Sequence, residues 1–197
     1  MYIQLFIDFF ASERLNGVMD ISHSCSHYFT FEMLFHCGET WQRTQCTNLP
    51  LQLESWQAYA ELAQQILDPL TQQHGPPLLT YGFCGAHLRR AIQANPSPQI
   101  APELDQHAAC ERNRVGRLIC PRQGAAVDLF YPGQNNHAIG LWLAQYTPFD
   151  RLYLYGSDQP LHISYGPEQC RTLVQLVTHQ GRRIPKRLTL DKLRGWF

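Results

Sequence analysis

The stretch from residue 51 to residue 74 constrains the fold most, because its apolar side chains recur at helical spacing. Those side chains, three or four residues apart, are Leu53, Trp56, Ala60, Ala63, Ile66, Leu67 and Leu70. The run Gly75-Pro76-Pro77 then interrupts the pattern. The sequence therefore predicts one long helix that serves as scaffold for the core.

Shorter segments along the chain indicate an α+β fold. Further helices are predicted over residues 31–37, 86–94, 136–145 and 168–180, the first of them capped by Thr30. Strands are predicted over residues 78–81, 125–131, 151–155 and 161–165. Because helices come mostly first and strands mostly later, the order favours a single α+β domain.

The composition excludes a strong overall charge. A chain of 197 residues with 44% apolar content is long enough for one full core. Sixteen basic and sixteen acidic residues cancel, so no overall field attracts nucleic acid or an anionic membrane. A local basic cluster is formed by Arg112, Arg114, Arg117 and Arg122.

The cysteines and the apolar segments bear on the compartment. Seven cysteines, an odd number without a CxxC pair, argue against a disulfide framework and favour the cytoplasm. The apolar start carries Asp8 and lacks a basic region and a cleavage site, so we expect no signal peptide. We expect no membrane partner, since no apolar run is long enough to cross a bilayer.

Two separate strand-like segments carry an acid and a histidine. Asp128 follows the small residues of Gly124-Ala125-Ala126-Val127, and His162 lies in Leu161-His162-Ile163. A buried carboxylate and a buried imidazole are costly to desolvate unless each has a partner. A shared divalent metal is one such partner. Taken singly, Asp128 could also cap a turn and His162 could be a hydrogen-bonded core residue.

Four stretches, in order, resemble peptidase family M15, the zinc D-Ala-D-Ala carboxypeptidases, in its phage and cell-wall endopeptidase branch. They begin with His27-Tyr28-Phe29-Thr30-Phe31-Glu32 and the helical Ile66-Leu67-Asp68-Pro69-Leu70. Leu79-Thr80-Tyr81-Gly82-Phe83-Cys84 follows, and the last stretch runs from Gly124-Ala125-Ala126-Val127-Asp128-Leu129 to His162-Ile163-Ser164. The resemblance implies a small antiparallel sheet with flanking helices, of the hedgehog/DD-peptidase type.

The resemblance also implies a zinc ion held by two histidines and an aspartate. Asp128 and His162 match the family's acidic ligand and its last histidine. The first histidine should stand three residues before Gly124, where this chain has Pro121. The run 105–110 resembles the family's "SxHxxG" motif, which implies that His107 is the first ligand and that an insertion occupies about residues 96–121. Cys120 is the alternative first ligand, because a thiolate also binds zinc.

Two other family positions differ here. Cys84 stands where the family has an arginine that binds a substrate carboxylate, and Gln159 stands where it has a catalytic acid. Asp158 is the neighbouring candidate base, since an amide cannot accept a proton from water. Cys84 is either a small buried residue or a nucleophile activated by His162 and oriented by Asp128.

The expected substrate site uses residues outside the metal motif. Arg112, Arg114 and Arg122 could bind an anionic group of the substrate, because guanidinium pairs with carboxylate or phosphate. The alternative is that this arginine cluster is a solvated loop surface. Tyr155 could line the cleft.

These observations predict a divergent M15-like zinc hydrolase that acts on an amide or peptide-like bond of a peptide or other small substrate. One alternative is an inactive M15-like module that binds a peptide or a partner protein. Another is a repurposed enzyme that binds a phosphate-bearing ligand such as a nucleotide. The expected organisation is an N-terminal extension over residues 1–27, an M15-like domain over 28–180 and a basic tail over 181–197.

Overall fold

The computed structural model describes residues 20–95, 104–179 and 182–197. The first helices are α1 (Phe31–Phe35), α2 (Glu39–Thr44) and α3 (Leu53–Leu62). A π-helical turn, Ala63–Leu67, joins α3 to α4 (Asp68–His74). The remaining helices are α5 (Ala86–Gln93), α6 (Asn136–Tyr146) and α7 (Leu190–Arg194).

Six strands form one mixed sheet in the order β1-β2-β4-β3-β5-β6. Their bounds are β1 Leu78–Tyr81, β2 Ala125–Phe130, β3 Arg151–Leu154, β4 Leu161–Tyr165, β5 Thr172–His179 and β6 Arg182–Leu188. Neighbouring strands are antiparallel except β3 and β5, which are parallel. The prediction of an antiparallel sheet is therefore wrong for that one pairing, because the chain crosses from β4 past β3 before it enters β5.

The helical prediction for residues 51–74 is confirmed, and this helix packs on one face of the sheet. Trp56, Tyr59 and Leu62 are buried against apolar residues of the central strands, among them Val127 and Ile163. Burial of these large side chains supplies most of the driving force that holds helix and sheet together. Helix α1 begins where predicted, since the Thr30 hydroxyl accepts a hydrogen bond from the Met33 amide.

The opposite face of the sheet carries the polar residues that the sequence singled out. Residues directly opposite one another on neighbouring strands share a face. The pairings place in one lateral row, from β1 to β6, the residues Tyr81, Asp128, His162, Tyr153, Val174 and Arg187. The fold thus separates an apolar face under helix α3 from a face that carries candidate chemistry.

The predicted helix over residues 168–180 is wrong, because residues 172–179 form strand β5. Gln169 and Arg171 have positive φ angles of 42° and 48°, which prevent a helix from starting there. β-branched side chains such as Val174 and Val177 then favour the extended conformation that pairs with β3. Tertiary pairing decides the structure of this segment.

Residues 182–197, treated above as a basic tail, form β6 and α7 in the structure. Leu193 is fully buried and belongs to the main core, and Leu188 and Leu190 pack against it. The proposed N-terminal extension falls largely on residues outside the described ranges. Of its last residues, Cys25 is buried in the core.

Two further findings concern the compartment predictions. None of the seven cysteines, all of which lie in the described ranges, forms a disulfide bond. Within the described ranges, the longest helices are too short or too polar to cross a lipid bilayer.

Candidate metal centre

Asp128 and His162 meet because β2 and β4 are paired in this register. They are direct cross-strand partners, and Asp128 Oδ1 lies 2.9 Å from His162 Nδ1. On the other side of His162, the ring of Tyr153 stacks on the imidazole at 4.8 Å and an angle of 19°. The carboxylate and the aromatic ring together fix the orientation of the imidazole.

His107 reaches the same place from outside the sheet, in the irregular segment that precedes β2. Its Nε2 atom lies 3.3 Å from Asp128 Oδ1. Its Nδ1 atom donates a hydrogen bond to the carbonyl oxygen of Gly82 at 2.8 Å. The Tyr81 ring packs on the imidazole at 4.2 Å. The backbone hydrogen bond therefore turns Nε2 towards the carboxylate.

The Gly82 carbonyl lies where the chain passes so close to Leu34 that only glycine fits. A Cβ atom at Gly82 would collide with the carbonyl oxygen of Leu34. The next amide, of Phe83, donates to that same oxygen at 3.0 Å. Asn48 holds this segment from the other side. Its side-chain amide donates a hydrogen bond to the Phe83 carbonyl at 2.8 Å, and its Oδ1 accepts one from the Gly85 amide at 2.8 Å.

The segment that carries His107 is attached to the N-terminus of helix α3. Buried Glu111 accepts three hydrogen bonds at Oε1, from the amides of Leu51 and Gln52 at 3.0 Å and from the Ser55 hydroxyl at 2.8 Å. Tyr59 of the same helix lies 3.0 Å from the carbonyl oxygen of Ala126 in β2. These contacts hold the segment that carries His107 against the helix and the sheet.

A fourth polar residue, Asp105, completes the cluster. One ligand atom each from Asp105, His107 and His162 lies within 4.8 Å of the others, so this buried group could hold a metal ion. Among the described residues, Asp105 Oδ1 and His162 Nε2 are buried atoms without a hydrogen-bond partner. Buried polar atoms in this state call for a missing partner such as an ion. The sequence analysis did not identify Asp105 as a site residue, although its position two residues before His107 could have indicated it.

The charges of the cluster depend on one another. Burial opposes the charge on His107, but Asp105, Asp128 and the Gly82 carbonyl raise its pKa above the ordinary value. Burial also opposes ionisation of Asp128, yet the two histidines hold the pKa of that carboxyl well below its usual range. For Asp105, burial prevails and raises the pKa. Asp128 is therefore the carboxylate that stays ionised beside the histidines.

Asp158 and Gln159 lie away from the cluster. Both are exposed in the loop between β3 and β4, and the hydrogen bond of Gln159 goes to the Asp158 backbone. Tyr155, just after β3, is half-buried, and burial raises the pKa of its hydroxyl, as do the charges of Asp128 and Asp105. The structure thus brings Tyr155 to the site and leaves the two loop residues at the surface.

The two candidate cysteines, Cys84 and Cys120, lie outside the group that could hold a metal ion. Cys84 is buried in a small apolar cluster with Tyr81, Leu88 and Ile92. This packing matches the interpretation of Cys84 as a small buried residue. Cys120 is fully buried near Cys110 and does not belong to the group that could hold a metal.

Three residues of the arginine cluster, Arg112, Arg114 and Arg117, lie on a small hairpin before β2. Arg112 pairs with Leu118 across it, and the Arg112 side chain bonds the Gly116 carbonyl at 3.0 Å. Arg114 and Arg117 are exposed there. Arg122 is half-buried and donates to the carbonyl oxygen of Leu104. None of these contacts reaches the metal-binding group, which agrees with a solvated loop surface.

Comparisons with known proteins do not add a family to this geometry. Neither a protein-family model, nor a curated protein, nor a solved structure matches the chain.

Proposed function

We propose that the chain is a zinc hydrolase that acts on an amide or peptide-like bond, with His107, Asp128 and His162 as metal ligands. The observation that carries the proposal is the meeting of two buried histidines from distant segments around one partly buried carboxylate. The resemblance of the motifs to peptidase family M15 supports the same ligand set.

The distance between His107 and Asp128 is compatible with one shared ion. Zinc lies about 2.0–2.1 Å from nitrogen and oxygen ligands, so two ligands of one tetrahedron are about 3.3 Å apart. His107 Nε2 lies at this distance, 3.3 Å, from Asp128 Oδ1. His162 Nδ1 lies 2.9 Å from the same oxygen, and its Nε2 is the buried nitrogen left without a hydrogen-bond partner. Two imidazoles and a carboxylate suit zinc as they suit other divalent transition metals, and the resemblance to peptidase family M15 selects zinc among them.

His107, Asp128 and His162 would hold the zinc ion, which would supply Lewis-acid activation of water for attack on a carbonyl group near neutral pH. The side chain of Asp128 is 21% exposed, so the site has a path to solvent. Asp105 is the remaining carboxylate beside the two histidines. We assign to Asp105 the role of proton acceptor, in place of the exposed Asp158 and Gln159.

Metal analysis of the purified protein tests this proposal. We expect roughly one zinc per chain in the wild type, its loss in His107→Ala, and its retention in Cys120→Ala. His87→Ala is the matched control, since His87 is an exposed histidine on α5. Added zinc should raise the melting temperature of the wild type and leave that of His107→Ala unchanged. A native wild type that neither contains nor binds zinc contradicts the proposal.

A second candidate function is a non-catalytic module that binds a peptide or a partner protein. The exposure of Asp158 and Gln159 favours it, because the positions expected to hold the catalytic acid do not reach the histidines. Zinc-dependent cleavage of members of a peptide library, abolished by a chelator, excludes this candidate. Binding of the same peptides without turnover supports it.

A further inference from the structure

Basic residues are concentrated in the last part of the chain. Residues 182–197 contain six basic residues and one acidic residue, in a protein whose total charge is zero. The basic residues are Arg182, Arg183, Lys186, Arg187, Lys192 and Arg194. Strand β6 carries four of them at the edge of the sheet. This edge therefore has an electrostatic character that the whole protein lacks.

The register of β6 divides its basic residues between the two faces of the sheet. Arg187 is the partner of Val174 and Arg183 is the partner of Thr178, so both arginines lie on the face that carries Asp128 and His162. Lys186 is the partner of Gln175 and lies on the opposite face. Two arginines and the metal centre thus share one surface.

Tyr155 connects Arg183 to the metal centre. The Arg183 guanidinium lies over the Tyr155 ring, 5.6 Å from its centre. Burial raises the pKa of Tyr155, Asp128 and Asp105 raise it further, and Arg183 lowers it. Tyr155 is therefore within electrostatic range of both the carboxylates and the guanidinium.

Neither arginine is neutralised within the described part of the protein, since no carboxylate there is paired with Arg183 or Arg187. Both side chains are exposed. Pro185 lies between them and removes one amide donor from the edge strand. Pairing of β6 with another strand is disfavoured by this proline and by the charges. The edge is thus suited to an anion rather than to strand addition.

We infer that Arg183 and Arg187 form an anion-binding subsite for an acidic peptide substrate that extends across the sheet from the metal centre. This inference rests on the proposed function. Four strand spacings separate Asp128 from Arg187, which is about 19 Å. An extended peptide advances about 3.3 Å per residue, so about six residues cover this distance. The substrate carries its acidic side chains or its terminal carboxylate at that end.

Binding of a short fluorescein-labelled poly-glutamate peptide, followed by fluorescence anisotropy at low salt, tests the inference. The full chain is compared with Arg183→Gln, Arg187→Gln and the control Lys186→Gln. We expect each arginine substitution to weaken binding about fivefold, and Lys186→Gln to change it little. A matched poly-glutamine peptide should bind much more weakly than poly-glutamate. Equal effects of all three substitutions, or none, contradict the inference.

Two further arms separate this inference from the other proposals. The same measurement on His107→Ala requires neither metal nor turnover, so the arginine effects persist even if the hydrolase assignment fails. If zinc binds as proposed while the arginine variants bind like wild type, the subsite alone is wrong. Single-stranded DNA of equal charge serves as the competing polyanion. Tighter binding of DNA than of poly-glutamate, with the same arginine dependence, overturns the peptide assignment.

Discussion

Asp128 Oδ1 lies 2.9 Å from His162 Nδ1, directly across the pair of strands β2 and β4. The same oxygen lies 3.3 Å from His107 Nε2. One carboxylate oxygen thus contacts two imidazoles from different parts of the chain. The contribution of this carboxylate is therefore open to a direct test.

Asp128→Asn keeps the size of the side chain and removes its charge. We expect the affinity for zinc to fall at least about tenfold, because a neutral amide is a poor substitute for a carboxylate at a metal. Competition with a chromogenic chelator measures this affinity. Asp158→Asn is the control and should bind zinc like the wild type. An unchanged affinity in Asp128→Asn would remove Asp128 from the ligand set.

Asp105→Asn separates metal binding from proton transfer. We expect zinc content to be retained and hydrolysis of a cleavable library peptide to fall about a hundredfold, the usual contribution of a positioned base. Metal analysis and initial rates are measured on the same preparation. Loss of zinc in this variant would instead make Asp105 a ligand.

Gly124 and Gly133 have nearly equal φ angles but different surroundings. Gly124 has φ +78° and a Cβ there would collide with the Tyr165 carbonyl, whereas Gly133 has φ +76° with nothing within 4 Å. Gly133→Ala should lower the free energy of unfolding by about 1 kcal/mol, the conformational cost alone. Gly124→Ala should lower it by about 3 kcal/mol or more, because the backbone of β2 must also shift. Urea unfolding measures both values, and equal losses would contradict the collision.

Glu111 holds the segment that carries His107 to helix α3 through three hydrogen bonds to one oxygen. Glu111→Gln should lower the free energy of unfolding by about 2 kcal/mol, because hydrogen bonds to a charged acceptor are lost or weakened in a buried place. Glu168→Gln changes an exposed glutamate and should cost less than about 0.5 kcal/mol. The two variants are compared by urea unfolding. A loss as small as that of the control would show that the buried carboxylate is dispensable.

The cysteines should differ widely in reactivity. Burial raises the pKa of the Cys25 thiol to about 12 and that of Cys37 likewise to about 12. At pH 8 only about one in 10⁴ of such thiols is ionised, and the thiolate is the reactive form. We expect iodoacetamide to modify the exposed Cys170 well before Cys25. Mass spectrometry of the digested protein gives the order, and early modification of Cys25 would show that its burial is incomplete.

Much of the fold follows from local patterns in the sequence. The long helix of residues 51–74 was predictable because its apolar spacing continues from Leu53 to Leu70, about five turns. Strand β5 was not predictable in this way. Its apolar residues fit either period, and its parallel pairing with β3 depends on contacts distant in sequence.

The residues of the candidate site also differ in whether the sequence alone could predict them. Asp128 and His162 could be predicted from the sequence because each lies within a segment with a strand pattern. His107 was reached through motif resemblance, and its approach to Asp128 depends on the Gly82 carbonyl and the Glu111 anchor, neither of which has a sequence signature. Asp105 and the arginines of β6 become visible only when the register of the sheet is known.

The pairing of Asp128 with His162 also links correct folding to the site. A slip of β4 by one residue would turn His162 into the apolar layer under helix α3 and bring Leu161 or Ile163 to the polar face. Burial of an imidazole without a partner is unfavourable, so the misregistered sheet is penalised. The pairing of Asp128 with His162 therefore also favours the correct register of β2 and β4 when the sheet forms.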